Sequence, residues 1–215
     1  MTARVLPDVH LCGSVPLEDV DDVLRTVAAT VGDHTTRMPD GEIGPRSSWI
    51  AFQQPVLRAC PQLVERSKGS GAYGTVRSFF SLGDGVAPDD VELGPLGYAR
   101  AAQESFARFD ALQRQGVIRE RVRFQVGLPT PLSLTMHFGD AEDRGLLEPV
   151  FARHIRAELE EIGATLPHDR VAVSTTSTTK RFCTMGCSTR QRASTMLMPA
   201  SANVRDRSSS SRWRS

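Results

Sequence analysis

Short apolar runs alternate with segments of helical periodicity over the first 173 residues, and this alternation limits the folds available to the chain. Strand-like runs occur within 8–16 (DVHLCGSVP), 34–50, 75–82, 121–132 and 170–173. Apolar side chains recur at helical spacing within 16–32, 98–116 and 147–167, with Gly32 and Gly116 as stops. Strands separated by helices predict an α/β fold of parallel βα units, either an open doubly wound sheet or a barrel. Residues 69–97, rich in Gly, Asp and Pro, read as an irregular insertion.

The apolar pattern ends at Val173. Residues 1–173 hold 18 Lys and Arg against 24 Asp and Glu, whereas residues 174–215 hold 8 against 1, with 17 Ser and Thr. Such a segment cannot offset the entropy of ordering, so we predict a disordered tail over 174–215. The chain has 24 Arg and 2 Lys, the bias of a GC-rich gene, and such a gene read out of frame yields Arg, Ser and Thr. We interpret the tail as frameshifted and residues 1–173 as the N-terminal part of a domain.

Three further features limit location and partners. The N-terminal sequence MTARVLPDVHLCGSVP has no long apolar stretch, which argues against a signal peptide and a membrane span. The four cysteines (Cys12, Cys60, Cys183 and Cys187) do not make a disulfide framework for 215 residues, which favours the cytoplasm. The basic tail has few aromatic residues and no helical basic face, so we expect no nucleic-acid or membrane partner, only a small-molecule substrate.

Candidate site residues lie in the loops that follow the predicted strands, where parallel α/β folds bind ligands. Gly13 and Ser14 offer amides and a hydroxyl to a carboxylate, at the start of the helix predicted from about Pro16. Glu42, in a PDGE sequence, offers a carboxylate to a ligand ammonium, with Asp40 and Arg46 close by. The alternative is that Pro-Asp-Gly is only a turn and Glu42 a solvated charge.

Other reactive side chains give weaker signals. Cys12 is either a low-pKa thiol at a strand end or, as we favour, a small buried residue. His137 either faces the ligand or packs, and we favour packing. Cys183 and Cys187 form a close pair, but two cysteines do not make a zinc site, so no metal ligand is predicted. GxxxxGK[ST] does not occur in the sequence, and GxGxxG matches only at 69–74 (GSGAYG), where the strand-like run of 75–82 and not a helical pattern follows.

Four segments resemble, in the same order, the catalytic barrel of cobalamin-independent methionine synthase. LCGSVPLEDV is similar to the family's IGSFPQT strand end, and PDGEIGPRSSWIAF to its GEPERNDMVEYF segment. FQVGLPTPLSLTMHF resembles MLTGPVTMLQWSF, and FARHIRAELEEIGATLP resembles the helix before IQIDEPA. Together they cover about residues 8–173 and suggest the wider group of uroporphyrinogen-decarboxylase-like and methionine-synthase-like barrels. The GSVP and PDGE forms depart from the synthase pattern, which indicates a separate branch.

The resemblance implies a partial (β/α)8 TIM barrel, roughly its first half. Synthase relatives move a methyl group from a folate to a thiol that Zn²⁺ activates. Their Ile-Gly-Ser strand end and Gly-Glu glutamate hold the amino-acid substrate, and by position these become Cys12, Gly13, Ser14 and Glu42. The family's zinc ligands lie in later strands, so the resemblance gives this chain neither a cofactor, nor a metal ligand, nor a catalytic residue.

Three hypotheses about function follow. The family-level interpretation is a methyltransferase-like enzyme acting on the thiol of a small amino-acid substrate. The alternative is a zinc-independent decarboxylase-like or lyase-like enzyme, or a small-molecule binder, of the same barrel group. For the chain as written, we expect an inactive, truncated product.

Overall fold

The computed structural model describes residues 9–48, 50–70 and 76–176, which form a mixed α/β fold. Its α-helices are α1 (Val20–Val31), α2 (Gln54–Ala59), α3 (Tyr98–Arg114), α4 (Pro131–Phe138) and α5 (Arg144–Thr165). Its strands are β1 (Arg37–Pro39), β2 (Leu63–Ser70), β3 (Val76–Leu82), β4 (Arg123–Pro129) and β5 (Val171–Thr176). No helix in these ranges is both long and apolar enough to cross a bilayer.

Helix α1 begins where the sequence supplies a cap. The Asp19 carboxylate accepts a hydrogen bond of 2.8 Å from the Asp22 amide, and Asp21 and Asp22 place negative charge at the positive end of the helix dipole. Val23, Leu24 and Val27 are buried, as the helical period predicts. The helix therefore starts at Val20, four residues later than the Pro16 start that the sequence suggested.

Three strands form a parallel sheet in the order β1-β4-β5, so neighbours in this sheet follow chain order. Met38 pairs with Phe124, and Gln125 pairs with Ala172. The large side chains of Met38, Phe124, Val126 and Leu128 are buried. The aromatic ring of Phe124 packs against those of Phe106 and Phe109 on α3, with centroid distances of 5.8 and 5.5 Å. Helix α3 also contacts α1 and α5, so the three long helices form one row.

The segment before α1 runs beside β1 without becoming a strand. The Val9 amide donates to His34 O at 2.6 Å and the Val15 amide donates to Gly41 O at 2.8 Å, so the segment runs parallel to β1. The Gln125 side chain also donates to Leu11 O at 2.9 Å. The predicted strand at 8–16 is wrong over residues 9–16, because these contacts do not make a continuous ladder.

Strands β2 and β3 form an antiparallel hairpin, in which β2 begins before the predicted insertion of 69–97 and β3 lies inside it. The Asp140 amide donates to Phe80 O at 2.9 Å, and the Phe80 and Phe138 rings pack edge to face with centroids 6.3 Å apart. These contacts fix the hairpin against the end of α4. The strand at 75–82 was predicted, whereas β2 was not, because its sequence LVERSKGS has no sustained apolar alternation.

Strand β5 continues through Thr176, three residues past the point where the apolar pattern ends. Ser174 pairs with Gly127 and Thr176 pairs with Pro129, and these backbone pairings do not depend on apolar side chains. The expected disordered tail began at Ser174, so its first three residues instead belong to the sheet. The rest of that tail, 177–215, lies outside the described residues.

Candidate functional site

Asp40 organises the loop that follows β1. This carboxylate is buried, and its Oδ2 accepts hydrogen bonds from Arg46 Nη2 at 2.7 Å and from Ser105 Oγ of α3 at 2.8 Å. Its Oδ1 accepts from the Glu42 amide at 3.1 Å. Asp40 is therefore fully engaged in holding the loop to α3 and in fixing the Arg46 guanidinium.

The backbone at Gly41 and Glu42 adopts the left-handed conformation, with φ values of 79° and 48°. A Cβ atom at Gly41 would lie 2.9 Å from both γ-methyl groups of Val23, so only glycine fits against α1. Left-handed backbone is uncommon for a non-glycine residue, and such strained positions cluster at functional sites. The turn presents the Glu42 side chain towards the end of β4.

The Glu42 carboxylate is half-buried and has few partners. Ser14 Oγ lies 3.2 Å from Glu42 Oε2 and 3.1 Å from Ser47 O. Burial raises the pKa of Glu42 and neighbouring Asp40 adds to the effect, while the Ser14 hydrogen bond and the charge of Arg46 oppose it. No described residue forms an ion pair with Glu42. The site thus holds a partly desolvated carboxylate without a direct cationic partner.

A small cleft, partly open to solvent, lies at the carboxyl ends of β1 and β4, and we call it the pocket. Its lining consists of Glu42, Arg46, Phe52, Tyr98, Gly127, Leu128 and Pro129. A Cβ atom on Gly127 would lie 3.1 Å from Glu42 Oε1, so glycine at this position leaves room for the carboxylate. The pocket combines one anionic side chain, one cationic side chain and two aromatic rings.

Tyr98 forms part of the inner wall of the pocket. Its side chain is buried, its ring packs edge to face on Phe52 with centroids 5.4 Å apart, and its hydroxyl has no hydrogen-bond partner. Burial is the main cause of its raised pKa, so the phenol is neutral. Gln53 lies beside the Tyr98 hydroxyl and partly lowers the pKa of Tyr98. Gln53 Oε1 is also buried and, like the hydroxyl, makes no hydrogen bond of good geometry. The Gln53 Nε2 atom donates a hydrogen bond to Leu96 O at 2.7 Å.

The four predicted substrate-binding residues do not all lie at the pocket. Ser14 and Glu42 meet through the hydrogen bond described above, and Glu42 lines the pocket. Cys12 and Gly13 are exposed and are not among the pocket-lining residues. Cys12 is not the buried small residue that we favoured, because the segment of residues 9–15 lies at the edge beside β1. The amides of Gly13 and Ser14 do not stand at a helix start, which Asp19 caps instead.

The other reactive side chains lie elsewhere. His137 belongs to α4, where its ring packs edge to face on Phe138 with centroids 4.6 Å apart. Cys60 is buried, and Cys183 and Cys187 lie outside the described residues. Within the described ranges, no three His, Cys, Asp or Glu side chains are grouped so as to hold a metal ion.

Sequence reasoning missed the pocket residues Phe52 and Tyr98. Phe52 lies in a short 3-10 helix, and Tyr98 is the first residue of a helix that was predicted only for its apolar face. No local signal marks either residue as a ligand contact, because the long segment between β1 and α3 brings both to the end of β4. The carboxyl ends of the predicted strands were expected to form the site, and the last residues of β4, Gly127 and Pro129 among them, do line the pocket.

Comparisons with protein-family models, with curated proteins and with solved structures find no match for this chain.

Proposed function

We propose that the chain binds a small amino-acid ligand in the Glu42 pocket. The observation that supports this proposal is the half-buried Glu42 carboxylate without a direct cationic partner, in a pocket that also contains Arg46. A ligand ammonium would supply the missing positive charge. Arg46 uses Nη2 on Asp40, and a guanidinium has five N–H donors, so further donors remain for a ligand carboxylate.

The proposal places this pocket on part of a (β/α)8 barrel. Three parallel strands in chain order are compatible with both folds, and the contacts of α3 with α1 and α5 support a barrel, because a doubly wound sheet has helices on both faces. The segment of residues 9–15, which runs parallel to β1, stands where a preceding barrel strand would lie. Ligands of such barrels bind at the carboxyl ends of the strands.

Amino-acid binding agrees with the methyltransferase-like function that the resemblance implies, in which a substrate thiol accepts a methyl group. The described residues do not fit the zinc site of the synthases, because no group of three metal-ligating side chains is present among them. What this chain's residues are proposed to do is bind and orient the amino acid, through Glu42 and Arg46.

Isothermal titration calorimetry of the full-length chain with L-methionine and L-homocysteine at pH 7 tests the proposal. We expect Glu42→Gln to weaken binding by about ten-fold or more, because the ligand ammonium loses its counter-charge, and about 1.4 kcal/mol corresponds to each factor of ten. The melting temperature should change little, since the substitution removes a partly desolvated charge that has no cationic partner.

Glu18→Gln is the control, because Glu18 is an exposed glutamate in the loop before α1. It should leave both affinity and melting temperature unchanged. Equal affinity of Glu42→Gln and wild type would show that Glu42 is only a charge on a turn. The absence of any binding heat with wild type would overturn the proposal as a whole.

A further inference from the structure

Side chains of α5 hold the chain that connects β3 to α3. Arg153, His154 and Glu158 each bind backbone groups of residues 88–97, which we call the linking segment, and Glu158 also binds the first turn of α3. Apolar residues of the linking segment are buried as well: Val91, Leu93 and Leu96. The linking segment is therefore fixed to α5 both by packing and by polar contacts.

The contacts of His154 determine which of its ring nitrogens carries a proton. Nδ1 lies 2.9 Å from Val150 O, and because a carbonyl oxygen only accepts, Nδ1 must donate. Nε2 accepts a hydrogen bond of 3.0 Å from the Leu93 amide, so this nitrogen must present its lone pair. The His154 side chain is only 12% exposed. Both contacts together require a neutral imidazole with its proton on Nδ1.

Protonation of the His154 ring removes the acceptor of the Leu93 amide. A charged imidazole has a hydrogen on each nitrogen, so Nε2–H would face the Leu93 N–H as a second donor. The contact with Val150 O survives, because Nδ1 still donates. Only the bond that joins α5 to the linking segment is lost.

The charged groups that face His154 come from the linking segment and from α5. Glu92 Oε2 lies 4.0 Å from His154 Nε2 and is 77% exposed, so it can attract the charged ring but cannot serve as the acceptor for an amide at Leu93. The Arg153 guanidinium is bound to backbone carbonyls and lies 3.7 Å from Asp89. The Glu158 carboxylate accepts from backbone amides at the start of α3. None of these groups replaces the lone pair of Nε2.

We propose that His154 is a pH-sensitive switch, whose neutral ring holds Leu93 to α5 and whose protonation loosens the linking segment. Histidine side chains change charge between about pH 8 and 5, so the segment should loosen over that range. The buried side chains of Val91 and Leu96 keep the segment packed, which confines the change to the neighbourhood of Leu93. The linking segment leads directly to Tyr98 in the pocket wall, but the inference does not rest on the proposed function.

Amide hydrogen exchange of the full-length, unliganded protein tests the switch. Exchange is measured at about pH 7.5 and 5.5, on either side of the usual histidine titration, and is corrected for the intrinsic rate at each pH. Protection of the Leu93 amide should fall by about ten-fold at the lower pH, because the amide loses its acceptor. The Phe124 amide, which donates to Arg170 O at 2.8 Å in the sheet, is the internal control and should keep its protection.

Two substitutions of His154 separate the acceptor from the ring. In His154→Gln, a neutral amide oxygen can accept from Leu93 at either pH, so protection should no longer depend on pH. In His154→Phe, the ring offers no acceptor, so protection of Leu93 should be low at both pH values.

His168→Gln is the matched control at the other end of α5. His168 Nε2 lies 2.6 Å from Gly163 O, an acceptor to which a charged ring can still donate. Protection of the Leu93 amide in this variant should respond to pH as it does in wild type.

The protonation site of the ring gives a second measurement, which needs no substitution. Nitrogen-15 NMR of the His154 side chain at about pH 7.5, where histidine is usually neutral, should show the proton on Nδ1. A proton on Nε2 would overturn the inference. Equal Leu93 protection at both pH values, or a pH dependence that persists in His154→Gln, would do the same. A joint loss of protection at Leu93 and Phe124 would indicate general unfolding and would also contradict a local switch.

Discussion

Glu42 and Glu158 are both withdrawn from solvent, but the fold surrounds them differently. Glu158, in α5, is 7% exposed, and its two carboxylate oxygens accept hydrogen bonds from the amides of Gly97 at 2.9 Å and Ala99 at 2.6 Å. These amides belong to the N-cap residue and the first turn of α3, where backbone donors have no partner within the helix. Glu158 therefore joins α5 to α3. Among the described residues, the one side-chain donor to Glu42 is the shared hydroxyl of Ser14, at 3.2 Å.

The difference shows that burial alone does not separate a structural carboxylate from a functional one. What separates them is the supply of donors: two backbone amides satisfy Glu158, whereas Glu42 is left with a raised pKa beside an open pocket. The two amide hydrogen bonds of Glu158 stabilise the fold, whereas the Glu42 carboxylate can still accept further hydrogen bonds. Substitutions at the two sites should therefore affect different measurements.

The largest effect on stability is expected at Glu158. Glu158→Ala leaves the amides of Gly97 and Ala99 buried without partners, and each unsatisfied donor costs about 1–3 kcal/mol. We expect the free energy of unfolding to fall by about 4 kcal/mol, as measured by urea denaturation.

Glu160→Ala is the control, because Glu160 is an exposed glutamate on the same helix. It should change the free energy of unfolding by less than about 0.5 kcal/mol. A loss of similar size in both variants would mean that the carboxylate bonds of Glu158 do not hold α5 to α3.

A smaller loss of stability is expected from Gly41→Ala, which tests how the loop presents Glu42. The new methyl group would meet Val23 at 2.9 Å, and alanine would have to keep a φ of 79°. Overpacking and backbone strain together should cost about 2–3 kcal/mol. Gly44→Ala shares the positive φ, at 61°, but has no atom within 4 Å of its Cβ, so it should cost about 1 kcal/mol. Equal losses would show that contact with Val23 does not fix the loop.

The spacing of apolar residues along the sequence predicted several of the helices and strands. Helices α1, α3 and α5 were found because each buries one apolar face, and β4 was found because its apolar run is short and bounded by turn residues. Helix α4 was missed because PLSLTMHF lies between prolines and glycines and reads as a loop. Its start depends on Thr130, whose hydroxyl accepts from the Ser133 amide at 3.2 Å, a capping contact that the apolar pattern does not reveal.

The site was predicted only in part, for a physical reason. Strand-end loops can be recognised from Gly, Pro and a polar residue, which pointed to Ser14 and Glu42. The partners of those residues come from distant segments: Asp40 is held by Ser105, 65 positions away in sequence, and Tyr98 reaches the pocket from α3. Such pairings depend on packing of the whole fold and leave no trace in local composition.

The smallest effect is expected at Ser14. Ser14→Ala removes the hydrogen bond that lowers the pKa of Glu42, so that pKa should rise further. We expect amino-acid affinity at pH 7 to fall by about three-fold, less than for Glu42→Gln, because a hydrogen bond between neutral and charged groups on a half-exposed side chain contributes little. Ser48→Ala is the control: Ser48 Oγ donates to Pro45 O at 3.0 Å in the same loop and should not affect binding.

The pH dependence separates this effect from a general disturbance of the loop. Ammonium binding requires ionised Glu42, so affinity should fall as pH falls through its raised pKa, and in Ser14→Ala this loss should begin at a higher pH. Stability of the unliganded protein should change in the opposite direction. A carboxyl whose pKa is raised on folding binds more protons in the native state, so its contribution is present at low pH and is lost as pH rises through that pKa. Neither the pH dependence of affinity nor that of stability should be present in Glu42→Gln. If the affinity profile of Ser14→Ala coincides with that of wild type, the Ser14 hydroxyl is directed to Ser47 O and does not hold Glu42.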